Sequence, residues 1–168
     1  MATGRTVSRF INLVIADDSN VIQDVPVSDI SVCGVVYEEQ DLTAFQDAVK
    51  GALPGMPDAP IDISGPFDTT ARAGASGTGT APTLSGSHII LGGLNGGMTP
   101  RSVDVQFGIR ATWATNDPQF GITASATSGY VVTAYTVNGN DMTYSASLRL
   151  YPGSFLPAWG TGAEAASS

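Results

Sequence analysis

The chain has 168 residues, of which 42% are hydrophobic and 13% are charged, and its 7 basic and 15 acidic residues give a formal net charge of −8. This acidic balance excludes a protein that grips nucleic acid through its phosphates, because such binding needs clustered Lys and Arg. Cys33 is the single cysteine, which excludes an internal disulfide and a cysteine-based zinc site. The length suits a single domain spanning 1–168.

The N-terminal part of the chain predicts β-strands. Residues 7–15 carry apolar side chains on both faces of an extended chain, which indicates a central strand. The polar cluster 17–20 is typical of a turn, and residues 21–27 predict a second strand with Pro26 at an edge or bulge. The pattern continues through residues 30–34, where we expect Cys33 to be a small core residue on a strand.

The stretch 41–68 predicts the one convincing helix of the chain, followed by a turn and a short strand. Asp41 is the predicted N-cap, and the glycines and proline of 51–55 are expected to end the helix. A strand begins at Ile61 and is expected to be cut short at Gly65. The apolar side of the helix is formed by residues at helical spacing: Leu42, Phe45, Val49 and either Ala52 or Leu53.

The next two segments, 68–87 and 88–94, lack the alternation of apolar and polar residues that indicates a strand. Residues 68–87 consist almost entirely of Gly, Ser, Thr and Ala, so we expect a long flexible loop that needs a partner to order it. Residues 88–94, HIILGGL, then predict a short helix.

The last third alternates between apolar and polar residues, as strands with one buried face do. Residues 102–113 predict the clearest strand, with Asp104 on its polar face. Further strands are predicted at 120–127, 130–137 and 142–150, and the last two are joined by a tight turn at Asn138 and Gly139. The tail 152–168 is expected to be irregular, and either mobile or docked on a neighbour.

Candidate catalytic chemistry is sparse. His88 is the single histidine, and no partner pattern for a metal site or a catalytic triad surrounds it. The glycines of 92–97 lack the Lys and Ser/Thr of a phosphate-binding loop, and the acids Asp17 and Asp18 lack the rest of a calcium loop. No stretch approaches the ~20 apolar residues of a membrane-spanning helix. We therefore expect a soluble protein of a reducing compartment that is not an enzyme and has no cofactor, no metal and no membrane partner.

The order of these elements resembles the tail tube (major tail) proteins of long-tailed bacteriophages. The resemblance spans about 29–108 and is carried by the strand SDISVCG, the ALPG turn, the strand ending SGPFD, the long loop and HIILGGLNGGMTPRSVDVQFG. It implies a mainly β fold, namely an antiparallel β-sandwich or barrel-like subunit with one flanking α-helix and a long flexible loop.

The resemblance also implies a function. Such subunits form hexameric rings that stack into a tube, a negatively lined conduit for DNA ejection, with tape-measure and tail-terminator proteins as partners. The protein would be made in the host cytoplasm and reside in the virion tail, and DNA would pass without tight binding. Our candidates for lumen-facing acids are Asp104, Asp62 and Asp29, and our candidates for contacts of the inter-subunit loop are Phe67, Asp68, Arg72 and Thr80.

Two other classes of function stay open at this stage. A capsid decoration or head-tail connector protein would also be rich in β-structure. A carbohydrate-binding module or a small hydrolase is supported only by Trp113, Trp159 and the five tyrosines.

Overall fold

The computed structural model describes residues 11–16, 22–41, 51–69, 83–84, 86–107 and 118–161. Within these residues the chain forms strands and one short π-helical turn, His88–Gly92. The strands are β1 (Ile11–Ala16), β2 (Ile22–Val25), β3 (Asp29–Cys33), β4 (Val36–Asp41), β5 (Ala52–Asp58), β6 (Ile61–Pro66), β7 (Thr83–Leu84), β8 (Val103–Phe107), β9 (Pro118–Ile122), β10 (Tyr130–Asn138), β11 (Thr143–Leu150) and β12 (Ala158–Thr161).

The strands form three sheets. One has six strands in the order β12-β9-β8-β1-β2-β7, one has four in the order β10-β11-β6-β3, and β4 and β5 form a separate hairpin. All pairs are antiparallel except β2 and β7. The predicted mainly β, antiparallel fold is therefore confirmed, and the described strands close no barrel.

One hydrophobic core joins the two larger sheets. Leu13, Val105 and Phe120 of the six-stranded sheet lie in the same cluster as Tyr144 and Leu148 of the four-stranded sheet, and all five are at most 1% exposed. Ile90 and Leu91 of the helical turn complete this cluster. Each fully buried Leu or Phe contributes on the order of 2 kcal/mol, so this layer is the main stabilising contact of the fold.

Strand β1 is central, as its two apolar faces predicted. It pairs with β2 on one side and β8 on the other. Leu13 and Ile15 belong to the main core, whereas Val14, which is 1% exposed, belongs to a second cluster on the opposite face with Ala16. Both faces of the six-stranded sheet are therefore covered at this strand.

The expectation that the polar face of β8 meets solvent is wrong. Asp104 is 3% exposed and Gln106 is 2% exposed. Asp104 lies opposite Val14 of β1 on one side and Gly121 of β9 on the other, so it belongs to the second, covered face of the six-stranded sheet. Alternation identified the two faces correctly but could not reveal that both are buried.

The predicted helix is contradicted at both of its ends. Asp41, the expected N-cap, is the last residue of β4, and Ala52 and Leu53 are the first residues of β5. The two strands pair with each other, and the expected turn at Pro54 and Gly55 lies inside β5. The body of the predicted helix, 42–50, lies outside the described residues.

Several shorter expectations need correction. Strand β6 runs through Gly65 to Pro66, and the turn before β11 spans four residues with its positive φ at Met142 instead of Gly139. Strand β9 ends at Ile122, before the expected 127. The tail is not wholly irregular, because β12 pairs with β9. Most of the predicted loop 68–87 lies outside the described residues, but its end contains β7 and the buried Ser87.

Other expectations are confirmed. Strands β10 and β11 form the expected hairpin, and His88–Gly92 is the expected short helix. Cys33 lies on β3 and packs against the core.

Candidate assembly surfaces

The described residues form several exposed apolar and polar surfaces. Among them there is no group of three or more side chains that could hold a metal ion. No helix in the described ranges is long and apolar enough to cross a membrane. Exposed apolar side chains and polar sheet faces are therefore the features to examine.

The β4–β5 hairpin is the most exposed element. Every residue of β4 is exposed, and β5 is exposed except at Gly55. The two strands nevertheless carry large apolar side chains at exposed fractions of 52% to 79%: Val36, Tyr37, Leu53 and Met56. They also carry four acids and no basic residue: Glu38, Glu39, Asp41 and Asp58. Apolar side chains on a ribbon that covers no core of its own are typical of a contact surface.

A second exposed surface is formed near the C-terminal strand. Phe155 is 78% exposed, and its backbone nitrogen donates to Ser128 Oγ over 3.2 Å. The neighbouring Ser154 Oγ accepts from the Gly129 nitrogen over 3.0 Å, so the turn that presents Phe155 is tied to the body. Trp159 on β12 is 56% exposed and lies with its ring centroid 5.0 Å from that of Phe120. We call Phe155, Leu156 and Trp159 the aromatic patch.

The outer face of the four-stranded sheet is polar and rich in hydroxyl groups. Asp62 on β6 and Arg149 on β11 form a salt bridge of 2.8 Å across this face. The hydrogen bond from Arg149 lowers the pKa of Asp62, against a smaller opposing effect of burial. Asp29 on β3 is exposed and lies opposite Ser64. The remaining outward side chains of β6, β10 and β11 include Ser64, Thr136, Thr143, Ser145 and Ser147.

The predicted lumen acids therefore separate into two groups. Asp62 and Asp29 lie on neighbouring strands of one polar face, whereas Asp104 is buried in the other sheet. Asp24 shares the covered face with Asp104, because both lie opposite Val14. Burial raises the pKa of Asp24 from 3.8 to about 6. The structure thus brings together two of the three acids.

Two of the four predicted loop residues lie in the described part of the chain. Phe67 is half-buried, and its ring centroid lies 5.2 Å from that of His88. The backbone of Asp68 accepts from the His88 nitrogen over 3.0 Å and its own nitrogen is 3.2 Å from Ser87 Oγ. These contacts fix the start of the loop against the helical turn. Arg72 and Thr80 lie outside the described residues.

Sequence reasoning missed the hairpin and the aromatic patch as surfaces. The hairpin was not predicted, because four residues at helical spacing indicate a helix: Leu42, Phe45, Val49 and Leu53. Pro54 and Pro57, which lie within four residues of each other, argue against a helix over 52–58. One feature of the sequence does indicate the exposed aromatic patch. Two large apolar residues, Phe155 and Leu156, stand side by side between prolines, where a strand could bury only one of them.

Comparison with known proteins identifies solved structures of similar fold. No family model and no curated protein matches the sequence. Among solved structures, the fold is similar to the PVC sheath/tube terminator of an extracellular contractile injection system in its extended state, with a TM-score of 0.54 at 7% identity. That match covers 96% of this chain and 100% of the other.

Two further structures are similar. The tube-terminating cap of the anti-feeding prophage matches with a TM-score of 0.53 at 9% identity, over 96% of this chain and 100% of that one. A chain of the PVC sheath-tube complex in the extended state matches with a TM-score of 0.50 at 7% identity, over 95% and 94%. At these identities the likeness is one of fold, and it extends over almost the whole of this chain.

Proposed function

We propose that this protein is a structural subunit of a phage-tail-like particle, which assembles with copies of itself into stacked hexameric rings that form a tube. The observation that carries the proposal is the similarity in fold, over 96% of the chain, to a sheath/tube terminator and to a tube-terminating cap. A component of a sheath-tube complex has the same fold. The parts of the resemblance to tail tube proteins that remain in the fold, namely β3, β6 and the helical turn before β8, support the same class.

The charge of the chain suits a conduit for DNA. The described residues include ten acids, with Arg101 and Arg149 as their basic residues, and the whole chain carries −8. A wall of this sign repels phosphates, so DNA slides past it, whereas a basic wall would bind DNA through counterion release.

The outer face of the four-stranded sheet is our candidate for the tube lumen. It presents Asp62, paired with Arg149, and the exposed Asp29 among short hydroxyl side chains, which leave a hydrated wall with one net negative charge from these three residues. We leave Asp104 out of this proposal because a side chain that is 3% exposed cannot face an open channel. In the described ranges no strand pairs with the outer edge of β3, so this sheet can continue into a neighbouring subunit.

Contacts between rings would use the most exposed elements. The hairpin and the aromatic patch expose apolar side chains that a neighbour can cover. The loop 68–87, which starts at Phe67 and Asp68 and includes Arg72 and Thr80, remains our candidate for reaching the next ring. Tape-measure and tail-terminator proteins are the expected partners in the particle.

Negative-stain microscopy of the purified full chain tests the proposal. The expected result is rings of uniform diameter that stack end to end as the protein concentration rises. Monomers at every concentration, together with particles whose tubes lack this protein, would contradict it. Trimers that attach to a capsid shell would support a decoration protein instead, and a single ring at the portal would support a head-tail connector.

A second function, the ring that ends a tube, is favoured by a specific observation. Two of the similar structures named above are a tube terminator and a terminating cap. The two functions differ in one property, because a tube subunit stacks on itself and a terminator does not. Rings that never stack, but bind the ends of tubes made from another protein, would assign the terminating role.

A further inference from the structure

The two outer edges of the β4–β5 hairpin differ in whether a further strand can pair with them. The strands pair from Val36 opposite Asp58 to Asp41 opposite Ala52, and in the described part of the chain no third strand joins either edge. An isolated two-stranded ribbon is only marginally stable, so addition of a third strand would stabilise it.

Strand β5 is closed to such an addition. A register shift between Tyr37 and Glu39 places Pro57 opposite Tyr37 and Pro54 opposite Glu39. Because Tyr37 and Glu39 lie on the same face of β4, both prolines lie on the same face of β5. Proline has no N–H to donate to a neighbouring strand, and two of them in seven residues block continuous pairing. Strand β4 contains no proline, so no backbone N–H donor is missing along it.

The charge of β4 excludes a second copy of the same strand as the occupant of its edge. Glu38, Glu39 and Asp41 are all exposed, and neither strand of the hairpin has a basic residue. Antiparallel pairing of two β4 strands would place these acids beside those of the other copy, and like charges directly opposite each other are destabilising. Edges of this kind are protected from self-pairing but remain open to a strand of opposite charge.

We propose that the outer edge of β4 binds an extended, basic segment of a partner protein as a third strand. Lys or Arg side chains of that segment would lie beside Glu38 on one face of the ribbon and beside Glu39 and Asp41 on the other. Pro54 and Pro57 would stop the ribbon from growing at its opposite edge, so one hairpin takes one strand. This goes beyond the proposed function, because it specifies the chemistry of a partner other than this chain.

The test is a titration of the isotope-labelled full chain, followed by NMR, with two blocked probe peptides. One alternates lysine with valine and the other alternates glutamate with valine. The lysine peptide is expected to shift the backbone amide signals of β4, to slow their hydrogen exchange and to leave the outer edge of β5 unchanged. Its affinity is expected to exceed that of the glutamate peptide by about tenfold or more, and to fall as salt is added.

A charge reversal and a matched control complete the design. The variant Glu38→Lys/Glu39→Lys is expected to reverse the preference and bind the glutamate peptide. The variant Asp141→Lys reverses the charge of an exposed acid outside the hairpin, and is expected to keep the preference for lysine. Equal binding of both peptides, no change in the β4 amides, or a reversal in the control variant as well would overturn the proposal.

Discussion

The phenol oxygen of Tyr144 donates a hydrogen bond of 2.8 Å to the carbonyl oxygen of Pro26, 118 residues away. Tyr144 lies on β11 of the four-stranded sheet, and Pro26 follows β2 of the six-stranded sheet, so this bond joins the two halves of the sandwich. Gly65 makes the approach possible, because a Cβ atom there would lie 2.6 Å from the same carbonyl oxygen. Burial raises the pKa of Tyr144, so the phenol stays protonated and able to donate.

Replacing Tyr144 by phenylalanine is expected to lower the free energy of unfolding by about 1–2 kcal/mol, because the carbonyl oxygen of Pro26 loses its partner in a buried setting. Urea denaturation followed by circular dichroism measures the change. The exposed Tyr37 supplies the control, since Tyr37→Phe is expected to change the unfolding free energy by less than about 0.5 kcal/mol. Equal effects of the two changes would show that the bond to Pro26 contributes nothing.

Gly121 is expected to tolerate no side chain. A Cβ atom at Gly121 would overlap the Oδ1 atom of Asp104 and the carbonyl oxygen of Val103, in the middle of the six-stranded sheet. We predict that Gly121→Ala lowers the free energy of unfolding by at least about 2 kcal/mol. Gly160 on the adjacent β12 has open space around the same position, so thermal melting of Gly160→Ala should match that of the wild type.

The raised pKa of Asp24 predicts a pH dependence of stability. Its pKa is about 6 in the folded protein and 3.8 without burial, so between these values the folded state holds a proton that the unfolded state has lost. Stability from this group is therefore highest below pH 4, falls as the pH rises to about 6 and is constant above that, with a total change of about 3 kcal/mol. Asp24→Asn should remove this component and be more stable than the wild type at pH 7.5. Unfolding measured from pH 4 to 7.5 checks this, and identical slopes in both proteins would contradict it.

Gln106 is a buried side chain whose loss should not weaken the fold. It is 2% exposed, and neither its amide oxygen nor its amide nitrogen has a hydrogen-bond partner among the described residues. Replacement by leucine removes a desolvated polar group of similar volume, so we expect Gln106→Leu to raise the free energy of unfolding by about 1 kcal/mol. Gln23 is equally buried but has a polar interaction, and Gln23→Leu is expected to be destabilising by about 2 kcal/mol. A destabilised Gln106→Leu would show that the amide has a role in the sheet.

The aromatic patch should matter for assembly and not for folding. Phe155 is 78% exposed, so Phe155→Ser is expected to leave the melting temperature within about 2 °C of the wild type. If the patch is covered by a neighbouring ring, the variant should need roughly tenfold more protein to assemble, as followed by light scattering. The exposed Met98 provides a control, because Met98→Ser removes a comparable apolar side chain elsewhere. Unchanged assembly of Phe155→Ser would remove the patch from the contacts.

The sequence predicted strands that bury apolar side chains. Alternation located β11, in which every second residue of Tyr144–Leu148 is buried, and two apolar faces located β1 inside its sheet. It could not predict the environment of Asp104, because a polar residue on a covered face has the same spacing as one facing water. The prediction for the β4–β5 hairpin was wrong for another reason. Its exposed strands bury no face and carry no period of two, so the helical spacing of the intervening residues dominated the pattern.

The candidate surfaces were less predictable than the fold. The shared face of Asp62 and Asp29 follows from the pairing of β3 with β6, which spacing alone does not give. The salt bridge from Arg149 to Asp62 joins residues 87 apart in sequence. Contacts of that range are set by sheet topology, and no local pattern encodes them.

Cryo-electron microscopy of the assembled full chain shows directly whether it forms a tube and which face lines the channel. We expect stacked rings with sixfold symmetry, in which the outer face of the four-stranded sheet, with Asp62 and Asp29, lines a central channel. A particle whose channel is lined by another surface would contradict the assignment of the lumen. A chain that stays monomeric, with no tube containing it, would contradict the claim that it is a tube-forming structural protein.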